Sequence, residues 1–423
     1  MSTLKTMSKN LTLILAVVLL TISFVFIPAL SFAKSKPGTI RVKLTETREK
    51  IRISPYGSYQ IKCYKKSKTV AGYEAATDMA ISVSTEGLIL LDDNGDVLEY
   101  RLDKILLDTK KAQNKFRFNG KPYRGNLQIH FISGSRTQVA VNLVGLEEYL
   151  LGVVPLEMGK KLITEPHDVE ALKAQAICAR TYSLAKFGQY PSRPFDLEAT
   201  VADQVYGGIE VEEEIISSAV RQTRGEVILY NDNFINAYYH ANCGGSTEYV
   251  QKVWENKPEA DYLVPVADDT FCVWGTNYLW QQSWNKAELE ERINTYLKNY
   301  FPLPEKGFGE LSDLQLTERL NSGRAKALKI FTQNSGYELK SDQIRWVFRK
   351  KENLNSILPS TLFDLQIFKD SAGVIDSVVA TGKGNGHGVG MCQIGALGLA
   401  RAGNTYQEIL QHYYPGTEVV KYY

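Results

Sequence analysis

Glycine occupies every second position from Gly382 to Gly390, in the segment GKGNGHGVGMCQIGA. In an extended strand, alternate side chains point to opposite faces. The spacing therefore predicts an extended segment with one bare face and with the single His387 on the other face. The glycines do not fit the spacing of a dinucleotide-binding or phosphate-binding loop. Either a structural hinge or a backbone wall that a ligand approaches fits this pattern.

The composition is that of an ordinary globular protein. The chain has 423 residues, of which 44% are hydrophobic and 23% are charged. Its 49 basic and 47 acidic side chains nearly cancel, and no basic field indicates a nucleic-acid partner. Five cysteines are an odd number for a protein outside the cytoplasm, so two pairs at most can form within the chain.

The first residues have the features of a secretory segment. Lys5 and Lys9 precede an uncharged run from Leu11 to Leu30, and a small-x-small cleavage site ends at Ala33. This pattern predicts a signal peptide over residues 1–33 or, if it is not cleaved, an N-terminal membrane anchor. Either reading places the rest of the chain outside the cytoplasm, as a secreted, periplasmic or membrane-anchored protein.

After the secretory segment, the hydrophobic pattern of the chain changes near residue 130 from strand-like to mixed. Residues 34–130 contain short alternating apolar and polar runs separated by turn sequences, which predict a strand-rich region. Residues 131–423 mix helical and strand patterns, including a helix from Asp168 to Gly188 and strands in ALKIFTQ and IRWVFRK. The predicted class is α+β, with mixed helices and antiparallel sheet.

Glu157 is the first candidate for chemistry. It lies in GVVPLEMGK, where its immediate neighbours are apolar. An apolar environment destabilises the charged carboxylate and raises its pKa, as a general acid requires near neutral pH. The alternative is a loop carboxylate that points into solvent.

The cysteines allow three further readings. His240 and Cys243 have H-x-x-C spacing and form a metal site only with another ligand, such as Cys272. A Cys243–Cys272 disulfide is favoured over a metal site, and no metal is predicted. Cys392 follows His387 at the start of a predicted helix, so a cysteine nucleophile with a histidine base is an alternative to an inert buried thiol.

Four segments together resemble the stage II sporulation protein D family, whose members include amidase enhancers. The segments are LEEYLLGVVPLEM with EALKAQAICARTYSL, DQVYGG, AYYHANCGGSTE, and GKGNGHGVGMCQIGALGLARAG with ILQHYYPGT. The resemblance implies action on peptidoglycan glycan strands as a lytic transglycosylase. A second implication, from a different class, is a non-catalytic enhancer that binds glycan and stimulates a cell-wall amidase.

The resemblance also implies roles for particular residues. Glu157 matches the family's catalytic glutamate, although Gly159 replaces the proline of its motif. A single acid suffices if the substrate's own C6 hydroxyl is the nucleophile. Gln204, Tyr206, His387 and Gln393 are the candidates for substrate contacts. The segment RPFDLEATVADQVY has no His or Cys, so the zinc cluster that some family members have there is not expected, and no cofactor is predicted.

Overall fold

The computed structural model describes residues 38–423 apart from positions 58, 76, 110–114, 269, 277, 351–352 and 354–355. Over these residues it contains 24 strands and eight α-helices, so the predicted α+β class is confirmed. The predicted secretory segment 1–33 lies outside the described residues. In the part of the chain that the structure describes, no helix is both long and apolar enough to cross a membrane.

Two sheets build the first part of the fold. The larger has seven strands in the order β13-β1-β12-β11-β8-β3-β4, and the smaller has six in the order β10-β9-β2-β5-β6-β7. Neighbouring strands are antiparallel, except that β1 and β13 run parallel. The strands of the larger sheet are β1 Thr39–Thr47, β3 Tyr59–Lys65, β4 Lys68–Ala75, β8 Lys104–Thr109, β11 Asn126–Ile132, β12 Thr137–Gly145 and β13 Leu197–Glu198. Those of the smaller sheet are β2 Ile51–Tyr56, β5 Met79–Val83, β6 Leu88–Leu91, β7 Val97–Leu102, β9 Lys115–Phe118 and β10 Lys121–Arg124.

Helix α1 (Leu146–Glu157) starts where β12 ends and carries Glu157 as its last residue. Helix α2 (Asp168–Lys186) is buried over most of its length, because small residues let its neighbours approach closely. The Arg180 guanidinium in α2 makes a bidentate ion pair with Glu147 in α1, at 2.8 and 2.9 Å. This buried pair fixes the orientation of α1 and therefore of its C-terminal end.

The remaining helices and strands follow α2. The helices are α3 Glu214–Gln222, α4 Val250–Val253, α5 Lys286–Tyr296, α6 Gln343–Val347, α7 Gln393–Arg401 and α8 Tyr406–Tyr413, with short 3₁₀ turns at Lys160–Leu162 and Leu297–Asn299. The strands are β14 Glu226–Tyr230, β15 Asn233–Phe234, β16 Tyr239–His240, β17 Leu279–Asn285, β18 Leu311–Arg319, β19 Ala325–Thr332, β20 Gly336–Lys340, β21 Phe363–Lys369, β22 Ile375–Lys383, β23 Met391–Cys392 and β24 Glu418–Lys421. They form three three-stranded sheets and the parallel pair β16-β23.

The strand predicted in IRWVFRK is wrong. Residues 343–347 form helix α6. Ile344, Val347 and Phe348 are buried, and their spacing of three and four residues is that of a helix face. They join the hydrophobic core that helix α5 and the sheets β17-β22-β21 and β18-β19-β20 share.

The glycine segment is extended only as far as Lys383, where β22 ends, so the prediction of one straight strand is wrong. Beyond it, the alternate glycines from Gly384 to Gly390 all have positive φ angles, between 69° and 118°. Glycine has no Cβ and therefore adopts this left-handed conformation without steric cost. The segment consequently winds around residues 238–243, with which it pairs through β16-β23 and the bridge Asn242–Asn385.

Candidate functional site

A cleft of about 730 Å³ lies where α1, the β16 segment, the glycine segment and α6 meet. Carboxylates, aromatic rings and cationic side chains contribute to its walls. The cleft is lined, among others, by Glu157, Tyr182, Lys186, Asp203, Tyr238, Tyr239, His240, Trp254, Lys257, Asp342, Arg345, Trp346, Gly386 and His387. The cleft is large enough for a ligand of several sugar rings or a short peptide.

Glu157 is half-buried at the inner end of this cleft. The backbone N–H of Val205 donates to its Oε1 at 2.9 Å, and Tyr239 and Gln393 also hydrogen-bond its carboxyl group. Burial raises the pKa of Glu157 to about 7 and outweighs the opposing effect of these hydrogen bonds. Its position at the C-terminal end of α1 acts in the same direction as burial, because the helix dipole disfavours a negative charge there.

Gln204 is fully buried behind Glu157 and does not line the cleft. Its Oε1 accepts a hydrogen bond from the Tyr239 hydroxyl at 2.9 Å, and its Nε2 donates to the Ser183 hydroxyl at 3.0 Å. It therefore holds a tyrosine that contacts the acid. The structure thus places Gln204 to orient Tyr239, and the substrate contact predicted for Gln204 stays a prediction.

Tyr206 also lies outside the cleft. Its ring packs against Tyr149 and Tyr123, and its hydroxyl donates to Asn142 at 3.0 Å. A Cβ on Gly152 would lie only 2.6 Å from the Tyr206 ring, which shows how closely α1 approaches it. Tyr206 supports α1 from behind, and its aromatic face is not available to a sugar ring.

Gln393, at the start of α7, contacts Glu157 from below. Its Nε2 donates to Gln175 in α2 at 3.2 Å, and its side chain hydrogen-bonds the Glu157 carboxyl group. The side chain is buried, so it orients the acid within the protein. The substrate contact predicted for Gln393 stays a prediction, and the contact that the structure shows is with Glu157.

His387 lines the cleft and is held by both ring nitrogens. Its Nδ1 accepts from the N–H of Val389 at 3.0 Å, so its Nε2 carries the proton and donates to the Tyr239 carbonyl at 2.9 Å. Burial lowers the pKa of His387 to about 4. The ring is therefore neutral near pH 7 and packs 4.8 Å from Trp254. It is a rigid wall of the cleft without a free nitrogen for proton transfer.

Several cleft residues were not identified from the sequence. Tyr238 and Tyr239 lie in a matched segment, and Trp254 packs against Tyr238 with 5.2 Å between ring centroids. Trp346 was assigned to a strand, whereas helix α6 presents it to the cleft with 37% of its surface exposed. Its spacing from the buried Ile344 and Val347 is the signal that could have placed it on an outward face.

Cys392 is fully buried outside the cleft. Burial raises the pKa of its thiol far above the ordinary value. A substrate cannot reach this sulfur, which argues against Cys392 as a nucleophile with His387 as its base. The Cys243 and Cys272 sulfurs lie 3.6 Å apart, so the residues predicted to form a disulfide are neighbours, and their pairing stays a prediction.

These observations define a cleft walled by aromatic rings, with a carboxyl group of raised pKa among its lining residues. Comparison with known proteins gives the family. A family model described as Stage II sporulation protein matches residues 134–230, which include Glu157 and Gln204. A second model, described only as a domain of unknown function, matches residues 274–390.

Curated relatives agree with this assignment. The chain is 30% identical to an uncharacterised protein of Brachyspira hyodysenteriae, over 92% of this chain and 95% of that protein. It is 30% identical to the amidase enhancer of Bacillus subtilis over 75% of this chain, and 25% identical to stage II sporulation protein D of Bacillus subtilis over 66%. The matched region spans 47% of the amidase enhancer and 76% of the sporulation protein. The chain belongs to the stage II sporulation protein D family, which indicates a function related to the cell wall.

Proposed function

We propose that this protein binds peptidoglycan glycan strands and cleaves them as a lytic transglycosylase, with Glu157 as the only acid and base. The observation that carries the proposal is the Glu157 carboxyl group, which has a pKa of about 7 and lies in the cleft. The raised pKa keeps the protonated form that a general acid needs accessible near neutral pH. No cofactor is required for this chemistry.

The reaction needs two proton transfers at one carboxyl group. Protonated Glu157 donates to the glycosidic oxygen, the bond to C1 breaks, and an oxocarbenium-like sugar forms. The Glu157 carboxylate then takes the proton from the C6 hydroxyl of the same sugar. The C6 oxygen attacks C1 and closes a 1,6-anhydro ring, which restores the protonated acid. Because Val205 donates to Oε1, we assign the mobile proton to Oε2.

The other two carboxylates in the cleft are already engaged. Asp203 accepts hydrogen bonds from the Tyr182 hydroxyl at 2.7 Å and from the backbone N–H of Glu198 at 2.9 Å. Asp342 pairs with Arg345 at 2.9 Å, which helps to hold the pKa of Asp342 below its usual range. A hydrolase needs a second carboxylate that is free to activate water or to attack the sugar. The arrangement favours a mechanism with one acid.

The walls of the cleft suit an uncharged or weakly anionic polysaccharide. Trp254, Trp346 and Tyr238 offer flat apolar faces for sugar rings. Lys186 and Lys257 supply cations to the same cleft, which fit the carboxylates of muramic acid units freed of their stem peptides. This composition supports glycan strands as the ligand and, with the family assignment, a site of action outside the cytoplasm.

The test of this function is digestion of purified glycan strands, with and without stem peptides. Mass spectrometry of the products is expected to detect 1,6-anhydro sugar ends, preferentially from the stripped strands. Reducing ends without an anhydro ring would indicate hydrolysis and would overturn the proposed mechanism.

A second candidate function comes from the relative named amidase enhancer, which is 30% identical to this chain. In that case, the protein would bind glycan and stimulate a cell-wall amidase without cleaving the strand itself. The two functions differ in their dependence on the Glu157 proton, since binding does not need it.

The cleavage rate is expected to fall with rising pH. Because the pKa of Glu157 is about 7, its proton-donating form is present below that pH and is lost above it. A plot of log kcat/KM should be level in acid and decline by about tenfold per pH unit above pH 7. Initial rates of anhydro-end formation measured from about pH 5 to pH 9 would show this. A rate that increases through pH 7 would contradict the role of Glu157 as the first acid.

Trp346→Ala is expected to weaken glycan binding by about tenfold, because loss of a stacking face costs about 1–2 kcal/mol. The measurement is binding of defined glycan oligomers by titration calorimetry. Trp274→Ala is the matched control, since Trp274 is 40% exposed but lies outside the cleft. Equal affinities for the two variants would exclude α6 from the binding surface.

A further inference from the structure

Four buried side chains form a cluster beneath the glycine segment. Their metal-binding atoms, the sulfurs of Cys243, Cys272 and Cys392 and a carboxylate oxygen of Asp268, all lie within 4.8 Å of one another. All four residues are fully buried, and none lines the cleft. Three separate stretches of chain supply them: Cys243 follows β16, Asp268 and Cys272 lie close together in sequence before β17, and Cys392 lies at the start of α7.

We propose that Cys243, Cys272, Cys392 and Asp268 bind a structural zinc ion. Tetrahedral zinc with Zn–S bonds of about 2.3 Å and a Zn–O bond of about 2.0 Å requires S···S separations of about 3.7 Å and S···O separations of about 3.5 Å. The Cys243 and Cys272 sulfurs are 3.6 Å apart, and the Cys243 sulfur lies 3.3 Å from Asp268 Oδ2. These spacings leave room for an ion between the donor atoms.

The hydrogen bonding of Asp268 supports a bound cation independently of these distances. Asp268 is fully buried, and its Oδ1 atom has no hydrogen-bond partner among the described residues. An unpartnered buried carboxylate oxygen is costly, and a cation bound by the same carboxylate offsets that cost. The other oxygen, Oδ2, is the one that lies 3.3 Å from the Cys243 sulfur, and it also accepts from the Tyr413 hydroxyl at 2.9 Å, which acts as an outer partner that orients the carboxylate.

Backbone amides point at the sulfurs. The N–H groups of Cys243 and Gly395 donate to the Cys392 sulfur at 3.2 and 3.3 Å. The Cys272 sulfur accepts from the N–H groups of Gly244 and Gly245. Such donors stabilise thiolates, and Cys392 additionally lies at the N-terminal end of α7, where the helix dipole favours negative charge.

A buried cation lies beside the cluster. Arg324 is almost fully buried and donates through Nη2 to the carbonyls of Cys243 and Ser246. Three thiolates and one carboxylate around Zn²⁺ have a net charge of −2, and the guanidinium charge offsets part of it. Burial lowers the pKa of the guanidinium, whereas Glu248 and the Cys243 and Cys392 thiols of the cluster all favour its charged form.

The ligand set identifies both the metal and its role. Three thiolates favour zinc over magnesium or calcium, and four protein ligands leave no open position for substrate or water. The site is therefore structural. It joins the segment that carries His240 to the start of α7, where Gln393 contacts Glu157.

This proposal revises two expectations from the sequence. No metal was predicted, and His240 was the suggested partner of Cys243. His240 instead contacts the Val389 carbonyl through Nδ1 and lines the cleft, so Asp268 completes the set. Bound zinc and a Cys243–Cys272 disulfide exclude each other, which makes the choice measurable.

The experiment is metal analysis of the full chain purified with zinc under reducing conditions and then dialysed. Mass spectrometry of the metal content is expected to show stoichiometric zinc in the wild type. Cys272→Ser and Asp268→Asn are expected to weaken zinc affinity by more than about 100-fold, since even outer-shell changes cost 10–100-fold. Cys63→Ser is the matched control, because Cys63 is an equally buried thiol in strand β3, and it should retain zinc.

A second measurement does not depend on the folding of a variant. Replacement of zinc by Co²⁺ in the wild-type protein should give thiolate-to-cobalt charge-transfer absorption and the intense visible bands of a tetrahedral site. Substoichiometric zinc with a Cys243–Cys272 disulfide in the peptide map would overturn the proposal. Free thiols without zinc and without the cobalt spectrum would overturn it as well.

Discussion

Glu157→Gln is expected to lower kcat/KM for glycan cleavage by about 100- to 10,000-fold, the range that a positioned general acid contributes. The glutamine keeps the shape of the side chain, and its Oε1 can still accept from the Val205 N–H. It has no acidic proton for the glycosidic oxygen and cannot take one from the C6 hydroxyl. Anhydro ends counted by mass spectrometry give the rate, and co-sedimentation with glycan gives the binding.

The control is Glu148→Gln, which removes a carboxylate nine residues earlier on the same helix, away from the cleft. It should cleave like the wild type. Cleavage retained by Glu157→Gln would refute the assignment of the acid. Glycan binding and amidase stimulation by both wild type and Glu157→Gln, without cleavage by either, would establish the enhancer function instead.

The raised pKa of Glu157 could be predicted from local sequence because the environment of this side chain is partly local. The apolar residues around Glu157 indicated a raised pKa, and the structure gives a pKa of about 7 through burial. The hydrogen bonds from Tyr239 and Gln393 come from segments that are distant in sequence. Their effect on the pKa of Glu157 depends on how α1 and α7 pack together, and a short stretch of sequence does not determine that packing.

Motif membership does not distinguish a residue that lines a cleft from one that supports it. Gln204 and Tyr206 belong to the matched segment DQVYGG, yet both lie behind Glu157. Conversely, Trp346 reaches the cleft from a short helix far along the chain. Depth in the fold is set by tertiary packing, so residue type and spacing predicted the region of the site better than the role of each side chain.

The cysteine cluster also depends on contacts between distant segments, which local sequence does not reveal. Spacing suggested His240 as a ligand because it is three residues from Cys243, whereas the structure brings in Asp268 and Cys392 from other segments. The backbone supplies the reason, since β16 and β23 pair in parallel and place Cys392 opposite His240. A parallel pair joins segments that are separated along the chain, and such contacts are the hardest to infer from local pattern.

The glycine segment was interpreted as extended because of its period of two. Glycine, however, is the residue that least favours any one backbone conformation, so its spacing does not fix a strand. The positive φ angles of Gly386 and Gly388 indicate what the glycines do instead. They let the chain wind closely against its neighbours, with His387 held between them at the cleft.

Gly386→Ala and Gly388→Ala are expected to lower the free energy of unfolding by about 2–5 kcal/mol each. Part of this cost, about 1–2 kcal/mol, comes from placing a side chain at positive φ. The rest comes from crowding, because an added Cβ would lie 2.6 Å from the His240 Cβ or 2.5 Å from the Arg324 guanidinium carbon. Glycan cleavage should also fall by about tenfold or more, since displacement of this segment moves the cleft wall.

Gly403→Ala separates the two causes. Gly403 also has a positive φ angle, 93°, but nothing lies within 4 Å of an added Cβ. This variant should lose only the backbone contribution of about 1–2 kcal/mol and keep its activity. Denaturant unfolding of the three variants, followed by the glycan digestion, measures both effects. If the three lose equal stability and all keep full activity, the segment is a hinge without close contacts, and the glycines are not a wall of the cleft.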